Sequence, residues 1–258
     1  MRYGLIGEKL GHSWSKIIHE QLADYTYDLI PLTQEEFISF MEAREFAAIN
    51  VTIPYKEAVI PYLDVIDDNA LTMKAVNTIV HKDGKLYGYN TDYLGFIYTL
   101  EQNHIDVTGK KCIVLGNGGA NKAVVAALQT CNAGKIIIVN RSLTDHVISY
   151  DECYEEHTDA DIIINTTPAG MYPLYLDQKP LELTRFPHCA AVIDIVYNPL
   201  QTLLLKEAVQ LGMKAVNGLE MLVAQAKYAV EYFLDVTLEE SIIASITNSL
   251  TDQMKEQK

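Results

Sequence analysis

An α/β chain in two parts is predicted by three observations. Short apolar runs alternate with helical patterns along most of the length, the signature of βαβ units and a parallel sheet. One such run, 111–115, passes at once into Gly116-Asn117-Gly118-Gly119-Ala120 and then into a helical pattern. The chain also changes character near residue 100: a hairpin signature ends the first part, and uniformly apolar runs fill the second.

The elements follow in order. Residues 3–6 read as a strand, 15–23 as a helix and 27–31 as a strand. Thr33 followed by Glu36 is a capping-box signal that opens a helix to about Glu42. An apolar strand over 46–53 ends at Pro54. Residues 76–81 and 85–89 flank Lys82-Asp83-Gly84, a hairpin. A helix starts near Asp92 and connects the two parts, since no Pro/Gly/Ser linker occurs over 97–108. In the second part, strands are expected over 111–115, 135–139, 161–165 and 192–195, with a helix after the glycines to about Thr130. Residues 218–233 have the spacing of a long amphipathic helix, and the final Lys/Glu/Gln-rich residues read as a frayed end.

The composition excludes several classes. With 258 residues, 49% hydrophobic and 21% charged, the chain buries a substantial core and is not disordered. A net charge of −14 opposes general nucleic-acid binding. A small anionic substrate would therefore need local positive potential. Cys112, Cys131, Cys153 and Cys189 are scattered, with no Cys-x-x-Cys pair and no His at zinc-ligand spacing, so no metal site is expected. The first residues do not form a signal peptide, and no apolar stretch is long enough to span a membrane. A reducing, cytoplasmic setting is expected, for a monomer or homodimer.

A strand that runs through glycines into a helix is an anion-binding device. The glycines let the backbone approach a pyrophosphate, and the helix N-terminus offers N–H groups and partial positive charge. Gly116, Gly118, Gly119 and Ala120 stand where a Rossmann-like dinucleotide domain needs them. At the end of the next strand, an NAD-binding unit places Asp or Glu for the ribose 2′-hydroxyl. This chain has Asn140-Arg141-Ser142 there, and Arg141 can pair with a 2′-phosphate, which favours NADP over NAD.

Further segments complete an ordered set: Gly11-His12-Ser13-Trp14-Ser15, Asn50-Val51-Thr52-Ile53-Pro54-Tyr55-Lys56, Ala75-Val76-Asn77-Thr78 and Gly88-Tyr89-Asn90-Thr91-Asp92. Downstream come Asn165-Thr166-Thr167-Pro168-Ala169-Gly170-Met171, Tyr197-Asn198-Pro199 and Gly218-Leu219-Glu220-Met221-Leu222-Val223-Ala224-Gln225. In this order, over essentially the whole chain, they resemble the shikimate dehydrogenase family. The resemblance implies a substrate-binding domain over 1–97, completed by C-terminal helices over about 222–258, and an NADP-binding domain over 98–221. It implies Lys56 and Asp92 as a catalytic pair at the reacting hydroxyl. Ser13 and Ser15 would hold the substrate carboxylate, and Asn77 and Gln225 its ring hydroxyls, with Thr52 and Tyr197 in support. Thr166, Pro168 and Met171, with Ala169 and Gly170, would face the nicotinamide, and Gly218 and Met221 would also lie at the cofactor. Read without the family, Ser15 is an N-cap.

The chain departs from the family pattern in places. Lys16 stands where proline is common and would add positive potential beside the carboxylate seat. Asn121 and Lys122 follow the glycine turn in place of a small residue and arginine. Asp145 lies near the position of a second basic residue. Only 19 residues, 142–160, separate Arg141 from the next strand, where the family fits a helix, a strand and a helix. A missing or reduced element is expected, which shortens the second half of the dinucleotide domain and keeps NAD open as cofactor. Two alternative functions follow: a quinate/shikimate dehydrogenase using NAD, and a catalytically weak, ligand-binding regulator on the same scaffold.

Overall fold

The computed structural model describes residues 2–11 and 13–256, and two compact units divide the chain. Met1–Gly95 and Leu222–Leu250 make one; Phe96–Met221 and Thr251–Lys258 make the other. His12, part of the first family segment, lies outside the described residues.

The first unit begins with β1 (Tyr3–Gly7), α1 (Ser15–Leu22), β2 (Tyr27–Pro31), α2 (Gln34–Ala43) and β3 (Ala48–Val51). Short pieces β4 (Val65–Ile66) and α3 (Asp68–Met73) follow, then β5 (Thr78–Lys82), β6 (Lys85–Tyr89) and α4 (Thr91–Gln102). The sheet order is β2-β1-β3-β5-β6-β4. β1 pairs parallel to β2 and β3, whereas β5 runs antiparallel to both β3 and β6. The expected hairpin closes through Asp83 and Gly84 at φ +53° and +74°, the left-handed pair that a two-residue turn requires. Thr33 and Glu36 form the expected capping box on α2. β3 is shorter than 46–53, because the chain turns at Thr52, whose carbonyl accepts from Tyr55 N–H at 2.9 Å. One face of the sheet buries Ile6, Phe37, Met41, Ile49, Val76, Ile79 and Leu86 in a single core.

The second sheet is built from β7 (Lys111–Leu115), α5 (Gly119–Thr130), β8 (Lys135–Val139), β9 (Val147–Ile148), α6 (Tyr150–Glu156), β10 (Ile162–Asn165), β11 (Ala191–Asp194), α7 (Leu203–Gln210) and β12 (Lys214–Asn217). Its order is β12-β11-β10-β7-β8-β9, all parallel. Strand order reverses direction at β7, so the carboxyl ends of β7 and β10 flank a topological switch point, where such sheets bind ligands. The short stretch after Ser142 keeps a two-residue strand and one helix. Residues 142–146 form only a turn, closed by Val147 N–H to Thr144 O at 3.1 Å, so the expected reduction of an element falls there. Two long helices, α8 (Leu219–Leu234) and α9 (Ser241–Glu256), end the chain. α9 runs to Glu256 because Ile243, Ile246, Leu250 and Met254 recur on one face and are buried; of the final residues expected to fray, Gln257 and Lys258 lie outside the described residues. Among the described residues, no helix is long and apolar enough to cross a membrane, and no group of acidic, His or Cys side chains could hold a metal.

Candidate active site

In the first unit, the chain leaves β3 through the turn at Thr52 and delivers Lys56, while α4 delivers Asp92 in its first turn. Lys56 Nζ lies 2.5 Å from Asp92 Oδ2. Their side chains are 15% and 14% exposed, so the pair is sheltered but reachable from solvent. Each partner is held at its backbone. Lys56 O accepts from Val76 N–H at 2.9 Å. Asn90, the residue before α4, accepts from Asp92 N–H at 3.1 Å and anchors itself by donating to Ala75 O at 2.9 Å. One β5-side segment, 75–77, therefore braces both members of the pair.

Asn77 is buried beside this pair. Its Oδ1 accepts from Thr91 N–H at 2.7 Å and from Thr78 Oγ1 at 2.9 Å, and its Nδ2 donates to Thr91 Oγ1 at 3.1 Å. That uses one amide proton and leaves a second to donate. Thr52 N–H bonds Ile6 O at 2.9 Å, and its methyl lies where a Cβ on Gly7 would meet it at 2.5 Å, so Thr52 fixes the turn that carries Lys56. Gln225, on α8, folds its amide back to Leu222 O at 2.8 Å.

Ser13 and Ser15 form their own constellation. Ser13 Oγ donates to Ser15 Oγ at 3.0 Å and accepts from Ser15 N–H at 3.2 Å. Ser15 is not the N-cap of α1: that position is Trp14, which makes no side-chain cap, and Ser15 is already helical. Two hydroxyls at an uncapped helix start suit a carboxylate. Lys16 does not strengthen that seat as expected. Its Nζ turns to Glu20 Oε1 at 2.5 Å and Tyr27 O at 2.8 Å, where its charge is neutralised.

In the second unit, Gly116 takes φ +98°, and an added Cβ would meet Thr166 Oγ1 at 2.9 Å, so both conformation and packing demand glycine. Gly118 is the N-cap of α5 and carries no side-chain cap; the space where its Cβ would sit is open for 4 Å. Gly119 and Ala120 begin the helix. An uncapped helix start with an open approach fits a pyrophosphate. Asn121, the departure from a small residue, is buried and straps the turn by donating to Gly116 O at 2.7 Å. Asn140 N–H bonds Ile148 O at 3.1 Å, and its side chain donates to Ser142 O at 3.2 Å. Arg141 and Asp145 are both exposed on this turn. Asn117 donates to Thr144 Oγ1 at 3.3 Å, joining the glycine turn to it. The residues present fit a dinucleotide.

Thr166 closes on β7, its Oγ1 donating to Leu115 O at 2.6 Å. Pro168 O accepts from Met171 N–H at 3.0 Å, and Met171 stands exposed at the loop tip. Tyr197 is half-buried in the segment after β11. Gly218 has a packing reason of its own: a Cβ there would lie 1.9 Å from Ile195 O. Met221 is buried on α8.

Residues 5–79 match the family model for the shikimate dehydrogenase substrate binding domain. The chain is 40% identical to an NADP(+) shikimate dehydrogenase of Clostridium beijerinckii, over 98% of this chain and 99% of that one. The chain belongs to the shikimate dehydrogenase family. Among solved family members, the chorismate mutase/shikimate 5-dehydrogenase fusion protein of Clostridium acetobutylicum superposes with a TM-score of 0.92 at 37% identity, covering 98% of each chain. The Thermus thermophilus shikimate 5-dehydrogenase, solved in complex with NADP(H) and shikimate, gives 0.86 at 27% identity, covering 96% of this chain and 99% of that one.

Two groups of residues at these sites escaped sequence reasoning. Tyr27 Oη donates to Asn50 Oδ1 at 2.7 Å, and Asn50 Nδ2 donates to Thr78 Oγ1 at 3.1 Å, a buried polar chain that ends on Asn77. Asp194 is fully buried at the end of β11. The available signal was the same in both: one polar residue inside an apolar strand run, which is stable only when its hydrogen bonds are met.

Proposed function

We propose that the chain is an NADP-dependent shikimate dehydrogenase that reversibly reduces 3-dehydroshikimate to shikimate. The observation that carries this reading is the 2.5 Å Lys56–Asp92 pair, sheltered yet reachable, in a member of this family. Reduction of a ketone needs a hydride at carbon and a proton at oxygen. When bound, NADPH supplies the hydride. The Lys56 ammonium donates its proton to the substrate oxygen and stabilises the charge that develops there. Asp92 holds the ammonium in place and accepts a hydrogen bond from the neighbouring substrate hydroxyl. In the oxidative direction, the proton passes from the alcohol to the Lys56–Asp92 pair.

Ser13 and Ser15 hold the carboxylate through two hydroxyls at the start of α1, which answers how an acidic chain binds an anion without a nearby arginine. Asn77 donates its remaining amide proton to a ring hydroxyl, with Gln225, Thr52 and Tyr197 in support. The glycine turn at 116–120 and the N-terminus of α5 hold the pyrophosphate, with Asn140 and Arg141 at the 2′-phosphate. Thr166, Pro168 and Met171 face the nicotinamide, with Gly218 and Met221 at the edge of that site. The first unit is thus the substrate domain and the second the cofactor domain. The setting is a reducing cytoplasm, for a monomer or homodimer: Cys112, Cys153 and Cys189 are buried, and burial pushes their thiols up to about 12, 11 and 11, where they are inert.

Initial rates test this reading, followed at the reduced-cofactor absorbance band with shikimate and quinate, each against NADP and NAD. Turnover of shikimate with NADP well above the other three combinations is expected. Dominant turnover of quinate, or none with any pair from folded protein, would replace it with the quinate enzyme or the regulator.

A further inference from the structure

The carboxylate of Asp194 has no part in the chemistry above, yet it is fully buried and collects donors from three separate segments. Asn165 Nδ2, at the end of β10, donates to Oδ1 at 2.9 Å. Val196 N–H, just after β11, donates to the same oxygen at 3.1 Å. Thr202 Oγ1, the N-cap of α7, donates to Oδ2 at 2.7 Å. Burial raises this carboxyl to about 6, while the three donors pull it down.

All three donors are tied to the loop 166–171 or to Tyr172 directly after it. Asn165 Oδ1 accepts from Thr167 N–H at 3.0 Å and Thr167 Oγ1 at 2.6 Å, so the orientation of Asn165 sets that of Thr167. Thr202 forms the wall against Gly170, where an added Cβ would lie 2.9 Å from the Thr202 Cβ. The segment after Val196 reaches the loop through Asn198 O, which accepts from Tyr172 N–H at 2.9 Å. A neutral side chain could satisfy one or two of these donors. Only a carboxylate accepts from all three at once, with both oxygens, at a fully buried position.

We propose that Asp194 is a positioning residue for cofactor use: through Asn165, Val196 and Thr202 it sets the loop 166–171 against the nicotinamide end of NADP. The proposal rests on the reading of that loop given above. A residue that merely filled the core would change the amount of folded enzyme and leave both Michaelis constants alone. A positioning residue on the cofactor side moves one of them.

The test compares Asp194→Ala, Asp194→Asn and Thr202→Val with the unaltered chain, by steady-state kinetics and by calorimetric titration of NADP without substrate. Asp194→Ala should raise KM and Kd for NADP about tenfold or more, the loss of a charge-assisted hydrogen bond. Its KM for shikimate should stay within about twofold, since the groups bonded to Asp194 are those of Asn165, Val196 and Thr202. Asp194→Asn, which keeps two of the three bonds, should recover most of the loss, and Thr202→Val should shift NADP in the same direction by a smaller factor. If Asp194→Ala fails to fold, the Asn and Thr202 variants carry the test. Unmoved NADP constants in the folded variants, or equal shifts for NADP and shikimate, would overturn the assignment of Asp194 alone. An unaltered chain that neither binds NADP nor oxidises shikimate would overturn the functional reading and this one with it.

Discussion

Lys56→Ala separates the proposed chemistry from ordinary binding. The amine sits 2.5 Å from Asp92 Oδ2, and the two side chains are 15% and 14% exposed. On the proposed mechanism, removing it takes away the proton donor and the positive charge opposite the developing alkoxide. A positioned general acid contributes about 10²–10⁴-fold, which is about 3–5 kcal/mol of transition-state stabilisation at 1.36 kcal/mol per decade. The stability cost is smaller: water reaches the stranded carboxylate, so about 1–2 kcal/mol is expected rather than the ~3–5 of a fully buried broken pair. The assay is initial rate of NADP reduction against shikimate concentration, with circular dichroism to establish folding. The expected result is kcat lowered by two to four decades with KM for shikimate changed less than about threefold, the pattern of an interaction made mainly in the transition state. Lys56→Arg refines the outcome. A guanidinium keeps its charge but does not release its proton, so an Arg variant as inactive as Ala assigns proton transfer, and a partly active one assigns charge stabilisation. A kcat near that of the unaltered chain, with KM raised by two decades, would refute the role for Lys56.

The remaining predictions touch other parts of the molecule. Arg141→Ala should raise KM for NADP by about tenfold or more, the scale of a charge-assisted contact, and leave NAD almost unchanged; equal effects on both would show that Arg141 does not read the phosphate. His19 stacks on Tyr27 at 4.0 Å, is fully buried, and burial lowers its ring to about 3 from 6.5. Its folded value lies below its unfolded one, so its stability is complete above pH 6.5 and is lost as the pH falls toward 3. At pH 5 the loss is about 2 kcal/mol by linkage, and His19→Phe should flatten urea midpoints between pH 6.5 and 4; an unchanged acid slope would place the charge elsewhere. Gly218→Ala places a Cβ 1.9 Å from Ile195 O, so backbone must move, and a thermal midpoint lowered by the equivalent of about 2 kcal/mol or more is expected; an unchanged midpoint would show slack at that crossing.

Much of this protein was legible in its sequence because its signals are local. The hairpin at Asp83-Gly84, the capping box at Thr33 and the run from β7 into Gly116 each state their conformation within a few residues. The short connection after Arg141 was legible by length alone, since 19 residues cannot hold a helix, a strand and a helix; the structure keeps β9 and α6 and reduces the rest to a turn. Lys56 and Asp92 were named only through the ordered family segments, as neither residue is unusual where it stands. Local pattern misread Ser15 as a cap, because a serine before a helical run looks the same whether it stands at the cap or one residue inside it. Four apolar residues spaced along α9 keep that helix intact as far as Glu256, and the last two residues lie outside the described ones.

By itself, the order of residues determined two α/β units, the glycine turn, an arginine in place of the ribose acid, and the family that combines them. The tertiary structure decided the rest. It placed the amine of position 56 against the carboxylate of position 92, thirty-six residues away, and turned Lys16 from the serines to Glu20. It strapped Gly116 with Asn121 and made Asp194 a junction for three segments. The division has one physical cause. Backbone conformation and hydrophobic period are properties of neighbours in the chain, whereas a buried polar group is defined by the partners that folding brings to it from elsewhere.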